Sequence, residues 1–204
     1  MPKTGRSTSR KTQILESLAQ MLEQSPGGRI TTASLAAHVG VTEAALYRHF
    51  PSKAKMFEGL IAYIEDSIFL PITEMLEQET DAMQRCSGIL RILLEFSEKN
   101  PGICRILNGD ALAGETDRLR KRIQALFSRL ETQIKQVLRE AELRQQLRAA
   151  LPMPILAGMA LGMAEGRISQ FVRSDFKRPP TEGWAEQWAF VSKNLLVPAP
   201  VFES

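Results

Sequence analysis

At 204 residues, 44% hydrophobic and 24% charged, the chain can bury a core without disulfides or metal staples and has the balance of an ordinary folded protein. Two cysteines without ligand spacing and two histidines make no standard metal motif, and no nucleophile–base arrangement or glycine-rich phosphate loop suggests an enzyme; no metal or cofactor is expected. The net charge of +3 is unevenly placed: the first 59 residues carry eight Lys and Arg against four Glu, so the excess positive charge sits in the N-terminal region, where it suits phosphate or an anionic membrane surface.

Residues 1–8 read as a basic, solvated arm. From about Ser9 to Gln24 the apolar residues Ile14, Leu15, Leu18, Ala19 and Leu22 share one face, the pattern of an amphipathic helix. Glu16, Ser17 and Gln20 interrupt that stretch, so it is neither a signal sequence nor a membrane span, and a cytoplasmic protein with no membrane partner is expected. Ser25-Pro26-Gly27-Gly28 is a loop.

The next stretch organises the chain. Thr31 and Thr32 stand where an N-cap belongs, ahead of Leu35, Ala36 and Val39, and Gly40 supplies the stop. Val41 fills a turn, and Thr42 caps a second short helix, Glu43 to His49, which ends because Phe50 precedes Pro51. Two short helices about a glycine turn form a helix-turn-helix, whose second member can enter the DNA major groove. Leu46 and Phe50 anchor that member from behind, and Ala44 and Ala45 keep it slim. Thr42, Glu43, Tyr47, Arg48 and His49 leave hydroxyls and charge on its outer face. A helical hairpin in any all-α protein is the plainer alternative, but caps, turn and stop occur together at helix-turn-helix spacing.

Ser52 caps a helix that runs from Lys53 to about Glu79, with a kink or a break expected at Pro71. Gln84 to Lys99 is apolar nearly all round and should be central to a body. Asn100 caps a short helix opening at Pro101 and stopping near Gly109. Thr116 or Asp117 opens a long charged helix to about Leu147, whose seam of Leu119, Ile123, Leu126, Leu130, Ile134 and Val137 is coiled-coil-like but fits packing on its own body better. After the Pro152–Pro154 break, Ile155 to Arg173 carries Gly158, Gly162 and Gly166 on one face, and a last helix from Trp184 to about Leu196 carries Trp184, Trp188, Val191 and Leu195.

The string Ala44 to Lys53, A-A-L-Y-R-H-F-P-S-K, resembles the recognition-helix signature of TetR-type regulators. Glu98-Lys99-Asn100-Pro101-Gly102, Arg105-Ile106-Leu107, Arg118-Leu119 with Arg122-Ile123 and Leu126-Phe127, and Glu165-Gly166 with Phe171-Val172-Arg173-Ser174 and Phe176-Lys177 are similar to one branch of that family, the nucleoid occlusion factors. The resemblance implies an all-α, TetR-like fold, with a helix-turn-helix head over residues 1–52 and a helical, dimerising body over residues 53–204. It implies a homodimer, paired through its last two helices on a pseudo-palindromic double-stranded DNA site, and association with the nucleoid. Thr32, Tyr47 and Lys53 would grip the phosphates while Thr42, Glu43, Ala44 and His49 face base edges, and Thr31 and Arg48 complete the candidate DNA-binding residues.

The same resemblance implies a DNA-dependent antagonist of the tubulin-like division protein FtsZ. The FtsZ tail would lie in a groove between the fourth and fifth helices, along Tyr63, Asp66, Phe69, Ile92, Lys99 and Asn100. For Ile92, core packing is an equal reading, and Pro71 stands where the family often has a basic residue. The alternative is a ligand-responsive repressor, in which Arg85, Asn108 and Asp110 would line an internal cavity.

Overall fold

The computed structural model describes residues 9–24, 28, 30–112, 114–144 and 147–198. The basic arm at 1–8 and most of the loop at 25–29 lie outside the described residues. Three helices make the head. In α1 (Arg10–Gln24) the i, i+4, i+8 residues Ile14, Leu18 and Leu22 are buried, as its amphipathic spacing requires. Helix α2 (Thr32–Val39) begins at Thr31, whose hydroxyl accepts from the Ser34 amide while Ser34 reciprocates, a capping box that contributes about 1 kcal/mol. It ends at Gly40, where φ of 75° lies in the left-handed region that glycine enters without Cβ strain. Helix α3 (Glu43–His49) is capped by Thr42 and anchored by Leu46, which is wholly buried.

The body begins with α4 (Lys53–Gln78), capped by Ser52. Pro71 lies inside α4 and does not divide it, so of the kink or break expected there the break does not occur. Proline removes only its own amide from the ladder, and the buried Ile64, Ile68, Phe69 and Ile72 on either side hold the helix to the core. Helix α5 (Ala82–Lys99) is the central element expected, packed on α4, α7 and α8. Asp81 caps it two residues earlier than the apolar pattern suggested. Asn100 precedes α6 (Pro101–Leu107) but does not cap it; its side-chain amide donates to the Phe96 carbonyl at 2.7 Å and closes α5 instead.

Helix α7 (Asp117–Arg144) buries the whole expected seam, Leu119 through Val137, within the chain. It stops before Leu147, because the chain turns into β1 (Leu147–Ala149). Helix α8 (Met153–Arg173) opens before Ile155, accepting Pro154 in the first turn, where an amide would have no intrahelical partner anyway. Helix α9 (Trp184–Ser192) is shorter than expected, and β2 (Leu196–Pro198) follows it, antiparallel to β1 with Arg148 opposite Val197. This pair ties the far ends of α7 and α9.

Head and body meet mainly through α1 and α6. Gly102 lies so close to α1 that a Cβ there would fall 2.0 Å from the Ala19 carbonyl oxygen. Arg105, 4% exposed, donates to the Leu22 carbonyl at 2.9 Å and to Asp110 at 2.8 Å. The last turn of α1 therefore finds its hydrogen-bond partner on the body rather than in water.

Candidate nucleic-acid interface

Helix α3 presents one wet face and one buried face, as a 3.6-residue period demands. Glu43, Ala44, Tyr47 and Arg48 are exposed, Tyr47 at 41%, while Leu46 and Phe50 face the head's core. His49 is half-buried and sits on the Ala45 side of the helix, away from the most exposed stripe. Thr42 is committed to its cap: its hydroxyl accepts from the Ala45 amide at 3.2 Å. Thr31 is likewise a cap, so its hydroxyl has a structural task at the entry of α2.

A small network joins α2 to α3. The Thr32 hydroxyl donates to the Glu43 carboxylate at 2.8 Å and accepts from the Tyr47 hydroxyl at 3.3 Å. Glu43, in the first turn of α3, also meets the positive end of the helix dipole. The three side chains thus set the angle between the two helices as well as lying on the surface that would meet a duplex. Sequence spacing alone gave these residues separate roles, because contacts across the turn have no periodic signature.

Lys53 departs from its expected place. Its ammonium lies 2.6 Å from Glu115, just ahead of α7, and 5.6 Å from the centre of the Phe57 ring; it is half-buried rather than held out toward solvent. A lysine so paired is not available to a phosphate until Glu115 lets go.

On the body, Tyr63 is half-buried with its ring 6.2 Å from that of Phe96 on α5, and Ile92, one turn from Phe96, is half-buried too. Asp66 and Lys99 are exposed, and the amide of Asn100 is held by the Phe96 carbonyl. Phe69 differs from its expected position: it is 4% exposed, with the Arg129 guanidinium 3.7 Å from its ring centre. That places Phe69 under α7, not in a seam between α4 and α5. The exposed apolar side chain beside it is Leu70, 63% exposed and on the α4 face of Tyr63 and Asp66.

Arg85, Asn108 and Asp110 do not line one cavity. Arg85 pairs with Glu140 at 2.7 Å, Asp110 with Arg105, and Asn108 accepts from Ser169 at 2.8 Å. The cleft beside Asn108, edged by Phe127 and Glu165, is about 110 Å³, well below the roughly 300 Å³ at which small-molecule pockets begin. Partial desolvation raises the Glu165 carboxyl above its ordinary range, and the nearby Glu131 adds to this. Among the described residues no His, Cys, Asp and Glu group could hold a metal ion, and no helix is long and apolar enough to cross a membrane.

Comparison with known proteins matches this geometry. Residues 14–60 match the family described as bacterial regulatory proteins, tetR family, and residues 80–196 match the tetracyclin repressor-like C-terminal domain of SlmA type. A protein of Shewanella amazonensis named nucleoid occlusion factor SlmA is 58% identical over 92% of this chain and 95% of its own length. One of the same name from a Marinomonas species is 54% identical over 95% of this chain and 98% of its own. Among solved structures, the fold is shared with the regulator FadR of Bacillus subtilis, in complex with stearoyl-CoA (TM-score 0.77, 12% identity, 91% of this chain and 100% of that one). It is shared equally with the MbdR regulator of Azoarcus (TM-score 0.77, 17% identity, 93% and 100%).

Proposed function

The chain belongs to the SlmA branch of the TetR family of bacterial regulators, and from that premise we propose that it is a nucleoid occlusion factor. It binds double-stranded DNA as a homodimer, in the cytoplasm and on the nucleoid, and in the DNA-bound state antagonises FtsZ polymerisation over the chromosome. The observation that carries this reading is the exposed α3 stripe of Glu43, Ala44, Tyr47 and Arg48, backed by a buried Leu46 and braced through Thr32. It is a slim, rigid helix edge at the head of a helical body, the element that direct readout in a major groove requires.

Dimerisation is supported by the outer side of α8, where Ile155 and Met159 are each 49% exposed and a Cβ at Gly158, Gly162 or Gly166 would meet nothing within the chain. Phe190 on α9 is 75% exposed. Apolar side chains beside open glycines suit a second copy of the same helices, and twofold pairing would set two α3 helices about one DNA turn apart. FtsZ tail contacts are assigned to Tyr63, Asp66, Ile92, Lys99 and Asn100, on the α4–α5 side of the body.

Arg85, Asn108 and Asp110 are each committed to a separate partner, so they give no shared cavity to an effector ligand. The deciding experiment is sedimentation of FtsZ polymers with this protein, with and without a duplex carrying its site. Polymer loss that needs both components is expected; loss indifferent to the duplex would overturn the reading. DNA affinity itself should fall steeply with salt, with a slope near −7 per dimer if each protomer neutralises about four phosphates.

A further inference from the structure

The end of α8 and the segment that joins it to α9 carry three cations, Arg173, Lys177 and Arg178, against two acids, Asp175 and Glu182. Arg173, Lys177 and Arg178 are all exposed, and among the described residues neither these three cations nor Asp175 and Glu182 form an ion pair. The segment is nonetheless firmly built. Asp175 and Phe176 hold left-handed backbone, at φ of 49° and 60°, a region that a bulky aromatic residue rarely enters. The Phe176 amide donates to the Phe171 carbonyl at 2.9 Å, and the two rings meet edge to face at 5.2 Å. Arg167 clamps the other end, donating to the carbonyls of Pro180 and Glu182 at 3.1 and 2.7 Å.

Its position in the fold gives the charge a direction. Ser169, one turn before Arg173, donates to Asn108 at the end of α6, and Thr181 donates to Glu98 near the end of α5. Both contacts lie at the end of the body that carries the head, since Gly102 touches α1 and Glu115 pairs with Lys53 at the start of α4. The β1–β2 pair closes the opposite end. For two heads to reach one duplex, the twofold axis must run from the DNA through the body. Pairing along the uncovered side of α8 then gathers both basic loops on the DNA side, near that axis. Like charges gathered so closely repel one another unless a polyanion lies beneath them.

We infer that the loop carrying Arg173, Lys177 and Arg178 is a second DNA contact, which holds the phosphate backbone between the two recognition helices without reading sequence. The inference rests on the DNA-binding reading above. Partial burial, helped by the nearby charge of Arg178 and opposed by Glu182, holds the Arg167 guanidinium below its usual range.

The test compares wild-type protein with Arg173→Gln/Lys177→Gln/Arg178→Gln on a random-sequence duplex long enough for both heads, across a salt series. Each phosphate contact is worth about 0.9 in slope, so the slope should flatten by between about 2 and 5 units per dimer, with affinity lower by on the order of tenfold at low salt. Lys177→Gln/Arg178→Gln, whose side chains make no hydrogen bond among the described residues, should give part of the same loss and serves if the triple variant fails to fold. An unchanged slope in a folded, dimeric variant overturns the inference, as does loss of binding to phosphatidylglycerol vesicles alone. If Arg48→Gln weakens DNA binding and the loop variants do not, this inference fails while the DNA-binding reading stands. If wild-type protein ignores duplexes altogether, the underlying reading fails first.

Discussion

The Lys53 ammonium and the Glu115 carboxylate meet at 2.6 Å across the join between head and body, with only 23% and 16% of the two side chains exposed. The pair closes the gap between the first turn of α4 and the loop that opens α7. It also neutralises a cation that the TetR resemblance assigns to phosphate. A phosphate arriving there must displace a carboxylate. Glu115→Gln should therefore tighten binding to every duplex several-fold and steepen the salt slope by about one unit per protomer. Lys53→Gln should do the opposite. Salt-dependent anisotropy titrations check both, and equal slopes in the two variants would show that Lys53 takes no part.

The Gly102–Ala19 contact predicts a second outcome. Gly102→Ala puts a methyl group into a carbonyl oxygen rather than into a flexible side chain, so backbone must shift. Overpacking of this kind costs about 1–3 kcal/mol. In a chain of this size that lowers Tm by roughly 2–4 °C per kcal/mol. Calorimetry reads it; a Tm within a degree of wild type would mean that α1 and α6 part easily.

Gly162→Leu should behave in the contrary way. Its Cβ would meet nothing in the chain, so the fold should survive and melt normally at low concentration. If a second copy lies against α8, the added side chain should drive the dimer to monomer in sedimentation equilibrium. A stable dimer in this variant would place the interface elsewhere.

Burial pushes the thiols of Cys86 and Cys104 up to about 12, so hardly any thiolate exists in the folded protein near neutral pH. Both should resist an aromatic disulfide reagent until denaturant unfolds the chain. Rapid reaction of either one in the native state would contradict their burial.

Acid sensitivity has a definite sign at Glu140. The hydrogen bond from Arg85 holds its carboxyl below the ordinary value of 4.5 despite partial desolvation, and Gln136 helps. The folded state then binds that proton more weakly than the unfolded chain. The stabilisation is present above about pH 4.5 and is lost as pH falls through the lower, folded value. Denaturation midpoints of wild type and Glu140→Gln should differ near neutral pH and converge as pH falls through the lowered folded value; a difference that persists in acid would assign the effect to packing.

Local chemistry was readable in the chain wherever neighbours in sequence decide it. The Thr42 and Ser52 caps, the Gly40 stop and the buried faces of α1, α3 and α7 follow from propensity and period. Relationships between segments were not readable. Nothing in the order of residues says that Glu115 meets Lys53, that Arg129 covers Phe69, or that Asn100 turns back to α5 rather than forward to α6. Arg105 could be noticed only as a charge in an apolar stretch, I-C-R-I-L, where a buried structural cation is worth suspecting. The short β1–β2 pair was hidden because three-residue strands carry too few alternations to register.

The join between α1 and α6 bears on how this molecule can be handled. A fragment cut at residue 52 would keep the exposed α3 stripe but not Lys53, and it would strip Ala19 and Leu22 of the neighbours that Gly102 and Arg105 provide. Such a peptide should express poorly and bind duplexes feebly, and grafting the first three helices onto another scaffold should fail for the same cause. The portion that recognises and the portion that folds do not share a border.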